Sequence, residues 1–420
     1  MLLVYWKKML SAWKIIGLFV IVIFVIIHKS NINVNSKLQW TSHNLDGLEK
    51  RAMTSKAFKA IPDRYFVRKS YTDDMPNEMT KNTCKKQRNV IFVKVHKTGS
   101  TTAWGIFTRF VQANNLNMVL PKRDNGSMFN YLSSKYLKLK ETVLQLPKNM
   151  SYNILCNHAI YNKQDFEKIM PNDTVRIGIL RDPLSVFKSA FYHFSFNRLV
   201  MRKFPNVKRS LRLHEFIVKK IYQQYAIGRS FTNGMSYDFG IPKSKTSNTS
   251  FVLEYIRELD KDFKLVIIAE LFDESLVLMR RYLCWDIQDI LYQPVNKGVW
   301  RNNVKPNLTR EDIDIVRNLN NADNLLYHFF KTRLENQIIQ QNDSFHTEVR
   351  HFKKIIASVH KFCRNTKKRS CIIEKSEWNS EFVLTRQFCD QLVTSELDVL
   401  RKMIKKAKQT LVQKNQIWER

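Results

Sequence analysis

Residues 89–95 read Asn-Val-Ile-Phe-Val-Lys-Val, and run straight into His96-Lys97-Thr98-Gly99-Ser100-Thr101-Thr102 and then a helix-like stretch from Ala103 to Asn114. The run is short, β-branched and aromatic, and apolar at successive positions, so it reads as a strand covered on both faces. Three more runs share its character: Tyr152–Cys156, Val175–Leu180 and Phe263–Ala269. The third turns through Arg181-Asp182-Pro183 into a helix-like stretch from Leu184 to Asn197. The fourth passes Glu270 into the helix-like Asp273–Leu283. Buried strands alternating with helices specify an α/β domain with a mainly parallel central sheet flanked by helices. From Thr309 to the end the pattern reads as helical and polar. Residues 28–88 show no sustained period beyond a short amphipathic segment near 45–60, and read as a stem.

The loop after the first strand carries the strongest chemical signal. A strand feeding a Gly/Ser/Thr loop and then a helix aims backbone N–H groups and a helix N-terminus at an anion. Lys97 adds a point charge, and Ser100, Thr101 and Thr102 add hydroxyls. A Walker loop is not matched, because the lysine precedes the glycine. A solvated turn capped by Ser or Thr is the plainer alternative. The second signal is Arg181 at the end of the third strand, with Ser189 on the following helix. In open α/β sheets ligands sit outside the carboxyl ends of strands, so these two groups suit a second phosphate. An ion pair of Arg181 with Asp182, or with a helix C-terminus, is the competing reading.

The chain carries 70 Lys and Arg against 37 Asp and Glu, a formal charge of +33, which implies an anionic partner without naming it. Its 44% hydrophobic content excludes a disordered basic tail. Residues 9–27 are apolar apart from Ser11 and Lys14, and as a helix would span roughly 28 Å, about one hydrocarbon core. Lys7 and Lys8 precede the run, and no small-residue cleavage site follows it. An uncleaved signal anchor is therefore preferred to a signal peptide, with residues 1–8 cytoplasmic and the rest lumenal. Lumenal placement suits the Asn-x-Ser/Thr sequons at Asn125, Asn149, Asn172, Asn248, Asn307 and Asn342. It also permits three bridges among the 6 cysteines, at least one of them within the C-terminal trio Cys363, Cys371 and Cys389. Buried free thiols are the alternative. No spacing suggests a zinc site, and no metal is expected.

KVHKTGSTT at 94–102 followed by RIGILRDPLSVFKSAFYHF at 176–194 resembles the paired 5′-phosphosulfate and 3′-phosphate motifs of Golgi sulfotransferases. More narrowly, the chain resembles the galactose-3-O-sulfotransferase family, through Ile154–His158, FTNGMSYDFG at 231–240 and LVIIAELFDESLVLMRRYLCW at 265–285. The likeness covers roughly residues 89–300. It implies a P-loop-like sulfotransferase fold at 89–345, with a basic helical extension at 346–420 packed on it. The implied donor is 3′-phosphoadenosine 5′-phosphosulfate (PAPS), and the implied acceptor the 3-hydroxyl of a β-galactose on a galactosylceramide-like glycolipid or a glycan. Other carbohydrate acceptors, such as a glycosaminoglycan, stand as the alternative, and a non-enzymatic polyanion-binding protein as the more distant one.

The resemblance assigns the donor's 5′-phosphate and leaving oxygen to Lys97, loop contacts to Thr98, Gly99, Ser100, Thr101 and Thr102, and the 3′-phosphate to Arg181 and Ser189. Sulfuryl transfer is a loose in-line displacement, so positioning and charge dominate, and the acceptor hydroxyl needs a base. His158 and His96 compete for that role, with His158 preferred as the one on the acceptor side. Lys94 shares a face with His96, and either contacts the sulfate or stands in solvent at the strand edge. Asn233 and Asp238 belong either to an acceptor loop, with Asp238 holding sugar hydroxyls, or to a Gly-closed turn. Trp104, Tyr192, His193 and Phe194 offer either a sugar-stacking surface or core. The expected setting is the Golgi membrane, single-pass type II, with no nucleic-acid partner and a homodimer as one option.

Overall fold

The computed structural model describes residues 84–122, 142–147, 149–225, 231–294 and 305–418. The expected anchor at 9–27, nearly all of the stem, the segment near 45–60 and the sequon at Asn125 lie outside the described residues. Among the described residues no helix is long and apolar enough to cross a membrane.

The sheet forms where the apolar runs predicted it. Strands β1 (Val90–Val93), β2 (Ile154–Leu155), β3 (Val175–Leu180) and β4 (Leu265–Ile268) pair in the order β2-β1-β3-β4, all parallel. Val90 is opposite Ile154 on one side and Val175 on the other, and Ile177 is opposite Leu265. β1 and β4 are buried along their whole length, as strands covered by helices on both faces must be. The chain leaves β1 towards β2 and then crosses back to β3. The carboxyl ends of β1 and β3 therefore flank a topological switch point, where open α/β sheets bind ligands.

Helices complete the layers. α1 (Ser100–Ala113) follows β1 and buries Trp104, Phe107 and Phe110; Phe107 stacks on Phe92 and Phe110 on Trp285. α2 (Lys163–Glu167) connects β2 to β3. α3 (Pro183–His193) starts with proline after Asp182, whose carboxylate caps the Ser185 N–H. α4 (Phe196–Lys203) and α5 (Arg212–Val218) gather with α3 around Phe187, Phe191, Phe216 and Phe231. α6 (Gly234–Asp238) and α7 (Thr249–Asp262) lead to β4, and α8 (Phe272–Leu283) leaves it. α9 (Arg310–Leu319) and α10 (Asn321–Ile339) pack back over α3, α6, α7 and β4. Tyr192 and Phe194 pack against the aromatic cluster and Trp104 is buried, so the core reading of these three holds.

The C-terminal part departs from the all-helical expectation. α11 (Asp343–Arg364) is followed by an antiparallel hairpin of β5 (Ser370–Ile373) and β6 (Phe382–Thr385), before α12 (Arg386–Val393) and α13 (Glu396–Trp418). The segments SCII and FVLT are rich in residues that suit a pleated surface, and each is too short to sustain a helix. The expected division at 345/346 falls inside α11, which is tied to α8 by buried Glu348 bridging Arg280 and Arg281.

Two disulfides are present among the described residues, Cys84–Cys284 and Cys363–Cys389, and Cys156 and Cys371 are free. The expected local C-terminal bridge forms; a third does not, because Cys156 is sealed at the end of β2 and Cys371 sits in the hairpin. Cys363–Cys389 pins α12 to the end of α11. Cys389→Ser, which reopens a loop with a sequence separation of 26, should lower the unfolding free energy by about 3 kcal/mol, read by calorimetry or denaturant titration.

Gly240 ends the α6 turn at φ +92°, where a Cβ would overlap the Tyr161 carbonyl and stand 2.6 Å from the Tyr255 hydroxyl. Gly240→Ala should therefore cost about 1–3 kcal/mol from backbone strain alone, seen as a lower denaturant midpoint.

Candidate active site

The Val95–Ser100 loop is shaped by its own hydroxyls. Thr98 Oγ1 and Ser100 Oγ both donate to the Val95 carbonyl, at 3.0 and 2.5 Å. Lys97 (φ 63°) and Gly99 (φ 84°) take positive φ on either side of Thr98. For Lys97, a non-glycine, this is strain of order 1 kcal/mol held where the chain turns onto α1. Gly99 occupies the N-cap position of α1 without a side-chain cap, and a Cβ there would meet nothing within 4 Å. The helix N-terminus thus opens onto unfilled space.

Lys97 and Arg181 meet across this loop. Arg181 Nη1 donates to the Lys97 carbonyl at 3.3 Å, which joins the ends of β1 and β3. Burial, the Arg181 guanidinium and the Lys94 ammonium together push the Lys97 ammonium down to about 8. A desolvated ammonium held down by two neighbouring cations is a site whose charge an anion would complete. Ser189 is half-buried, two helical turns into α3. His193, one turn further on, has its imidazole pushed down by burial, Lys97 and His96, so that end of α3 borders the same region.

Behind the loop lies a polar cluster. His96 and His158 stack at 3.8 Å between ring centroids. Asp238, at the end of α6, accepts both the His96 backbone N–H (2.9 Å) and His96 Nδ1 (3.0 Å) on Oδ2. His158 Nδ1 lies 3.0 Å from the Lys94 carbonyl and Nε2 lies 2.9 Å from Lys94 Nζ. A carbonyl only accepts, so Nδ1 carries the proton and Nε2 offers its lone pair to the lysine. Burial, Lys94 and His96 hold His158 well below the usual imidazole range. Lys94 is not in solvent: its side chain is 1% exposed, and Nζ sits 2.7 and 2.8 Å from the Glu396 carboxylate oxygens. Burial lowers the Lys94 pKa, and Glu396 opposes that shift.

The structure thus gathers Lys94, His96, Lys97, the Thr98–Thr102 loop, His158, Arg181 and Asp238 at one end of the sheet. It changes the reading of two residues. Asp238 is buried against His96 instead of offering itself to sugar hydroxyls. Asn233 is removed from any acceptor loop: its N–H donates to Asn320, its amide donates to Leu319 O and its carbonyl accepts from Asp323 N. It is the hinge that seats α6 on α10. Glu270 is a latch, accepting the Asp182 N–H and the Tyr327 hydroxyl. Glu396 is the residue missed altogether. It lies 302 positions from Lys94 with no motif around it, and only the fold brings the two together. Among the described residues no group of three or more His, Cys, Asp or Glu is placed to hold a metal ion.

A family model described as galactose-3-O-sulfotransferase matches residues 9–373. The chain belongs to the galactose-3-O-sulfotransferase family. Human galactosylceramide sulfotransferase is 30% identical over 250 residues, covering 59% of this chain and 57% of that relative. Human galactose-3-O-sulfotransferase 2 is 32% identical over 253 residues, 60% of this chain and 61% of the relative. Human galactose-3-O-sulfotransferase 3 is 32% identical over 217 residues, 50% and 48% respectively. The chain thus spans about half to three-fifths of the length of these relatives. The family match takes in the whole strand-end site contributed by β1, β2, β3 and α6, and stops before β6, α12 and α13.

Proposed function

We propose that the protein transfers a sulfuryl group from PAPS to the 3-hydroxyl of a terminal β-galactose on a glycolipid or glycan. The observation that carries this reading is the meeting of Lys97 and Arg181 at the switch point, beside a histidine oriented by a buried carboxylate. The residues suit such a donor: desolvated cations, a helix N-terminus and open space above Gly99 fit an anion with phosphates at two places. PAPS supplies the sulfuryl group, and its bond from sulfur to the phosphate oxygen breaks as the galactose oxygen bonds to sulfur. Lys97 donates to that leaving oxygen and offsets its charge. Arg181 and Ser189 hold the 3′-phosphate, and the loop positions the 5′ end.

For the base, the geometry favours His96 over the His158 preferred from sequence. The lone pair of His158 is turned to Lys94, and its basicity is lowered. His96 donates its Nδ1–H to Asp238 Oδ2 in a hydrogen bond, which leaves Nε2 as the nitrogen that takes the proton of the acceptor hydroxyl. The reading includes an N-terminal signal anchor at 9–27, a stem at 28–88 and a lumenal catalytic part in the Golgi membrane.

The test is titration of the full chain with 3′-phosphoadenosine 5′-phosphate (PAP), followed by labelled PAPS with an acceptor panel. Label on galactosylceramide, lactosylceramide or a galactose-terminated glycan supports the reading. Label confined to uronic acid or hexosamine chains moves the acceptor to that class. Absence of PAP binding with retention on heparin would reject the enzyme altogether.

A further inference from the structure

Glu396 is the first residue of α13 and lies beyond the family-matched residues, which end at 373. Yet its carboxylate is the counter-ion of the lysine next to the histidine pair. Both oxygens contact Lys94 Nζ, and Oε2 also accepts from Thr101 Oγ1 at 3.4 Å, on the first turn of α1. The carboxylate is 17% exposed and Lys94 1%. Its position is held firmly. Ser395 caps α13 by bonding Asp398, Leu400 and Ile404 are buried, and the Cys363–Cys389 bridge anchors the preceding helix.

The Lys94 ammonium has three protons and three acceptors around it: two Glu396 oxygens and His158 Nε2. The ring nitrogen can accept only while His158 is neutral and protonated at Nδ1. We propose that Glu396 is a positioning residue of the active centre: it keeps Lys94 an ammonium that donates to His158 Nε2, and so holds His158 neutral as the platform on which His96 stacks. This rests on the reading of His96 as the base. The C-terminal helices are thereby a working part of the site.

The groups facing Lys94 are Glu396 from α13, His158 and Cys156 from the end of β2, and Asp238 from α6, while Lys97 lies further along its own segment. Of these, Glu396 does most to keep the ammonium charged. Without it, burial favours the neutral amine. Loss of the carboxylate therefore lowers the pH at which Lys94 deprotonates, and the alkaline limb of turnover moves to lower pH.

The experiment compares wild type, Glu396→Gln and Glu396→Asp in the full chain, with kcat and KM measured from pH 5.5 to 9.5. Glu396→Gln should lower kcat on the order of 10–100-fold near neutrality. Its alkaline limb should shift down by about 1–3 pH units. KM for PAPS should stay level or fall, because a negative charge has left the neighbourhood of an anionic donor. Glu396→Asp should recover part of kcat. A merely structural role predicts an equal loss at every pH with no recovery by Asp, and either that result or a wild-type profile in Glu396→Gln would overturn the proposal.

A second readout needs no activity. In histidine labelled with nitrogen-15, wild-type His158 should show a protonated Nδ1 and a bare Nε2. The pH at which its Nε2 signal reports Lys94 deprotonation should fall in Glu396→Gln. An unchanged signal in folded variant overturns the proposal. A shifted signal in a protein that transfers no sulfuryl group would instead sink the reading of function and leave the relay standing.

Discussion

Lys97→Ala is expected to lose sulfuryl transfer by about 10³-fold or more, with an unchanged folding midpoint. The side chain is only partly buried and belongs to no apolar cluster, so its loss should not disturb the core. What it removes is the cation at the turn onto α1, beside Arg181, which the proposed mechanism sets against the charge developing on the leaving oxygen. The pH dependence carries the same signature. In the free protein the ammonium is pushed down to about 8, so it is largely charged at neutrality and loses its proton as pH rises through that value. An anion binds the charged form more tightly. Affinity for PAP should therefore fall as pH passes about 8, approaching tenfold per pH unit, with proton uptake on binding. In Lys97→Ala that dependence should vanish, which titration calorimetry in buffers of different ionisation enthalpy would show.

His96→Ala should lower kcat by about 10²–10⁴-fold and leave PAP binding close to normal. Asp238→Asn should reproduce part of the loss, because an amide oxygen accepting the same two N–H groups lacks the negative charge that offsets the positive charge arising on His96 as it takes a proton. His158→Ala also removes a stacking partner and an acceptor for Lys94, so it should affect both turnover and stability. The discriminating pattern is a dead His96→Ala with a folded, slowed His158→Ala. Near-normal turnover in His96→Ala beside an inactive but folded His158→Ala would return the base to His158.

Much of this site was legible in the chain. β3 forms over the Val175–Leu180 run itself, and β1, β2 and β4 lie inside their apolar runs, because a buried parallel strand has a local signature that burial enforces. Lys97 and Arg181 were legible for the same reason, since residues just past such strands share one end of the sheet. The misses are of another kind. Asp238 and Asn233 sit within a few residues of each other in FTNGMSYDFG, yet one turns to His96 and the other to α10. A short helix between them sets that divergence, with Asp323 gripping the N–H groups of Met235 and Ser236. Burial raises the Asp323 carboxyl to about 6 in that role. Glu396 left no local trace, because a long-range ion pair needs only one carboxylate at the right place. The β5–β6 hairpin was hidden by strands of 4 residues each inside a polar, basic background.

The most direct measurement is transfer of label from PAPS by the wild-type full chain to a terminal β-galactoside, run beside its 3-deoxy analogue. Label is expected on the β-galactoside, at O3, and none on the 3-deoxy compound. Equal labelling of the two, or no label on either by folded protein that binds PAP, would contradict it.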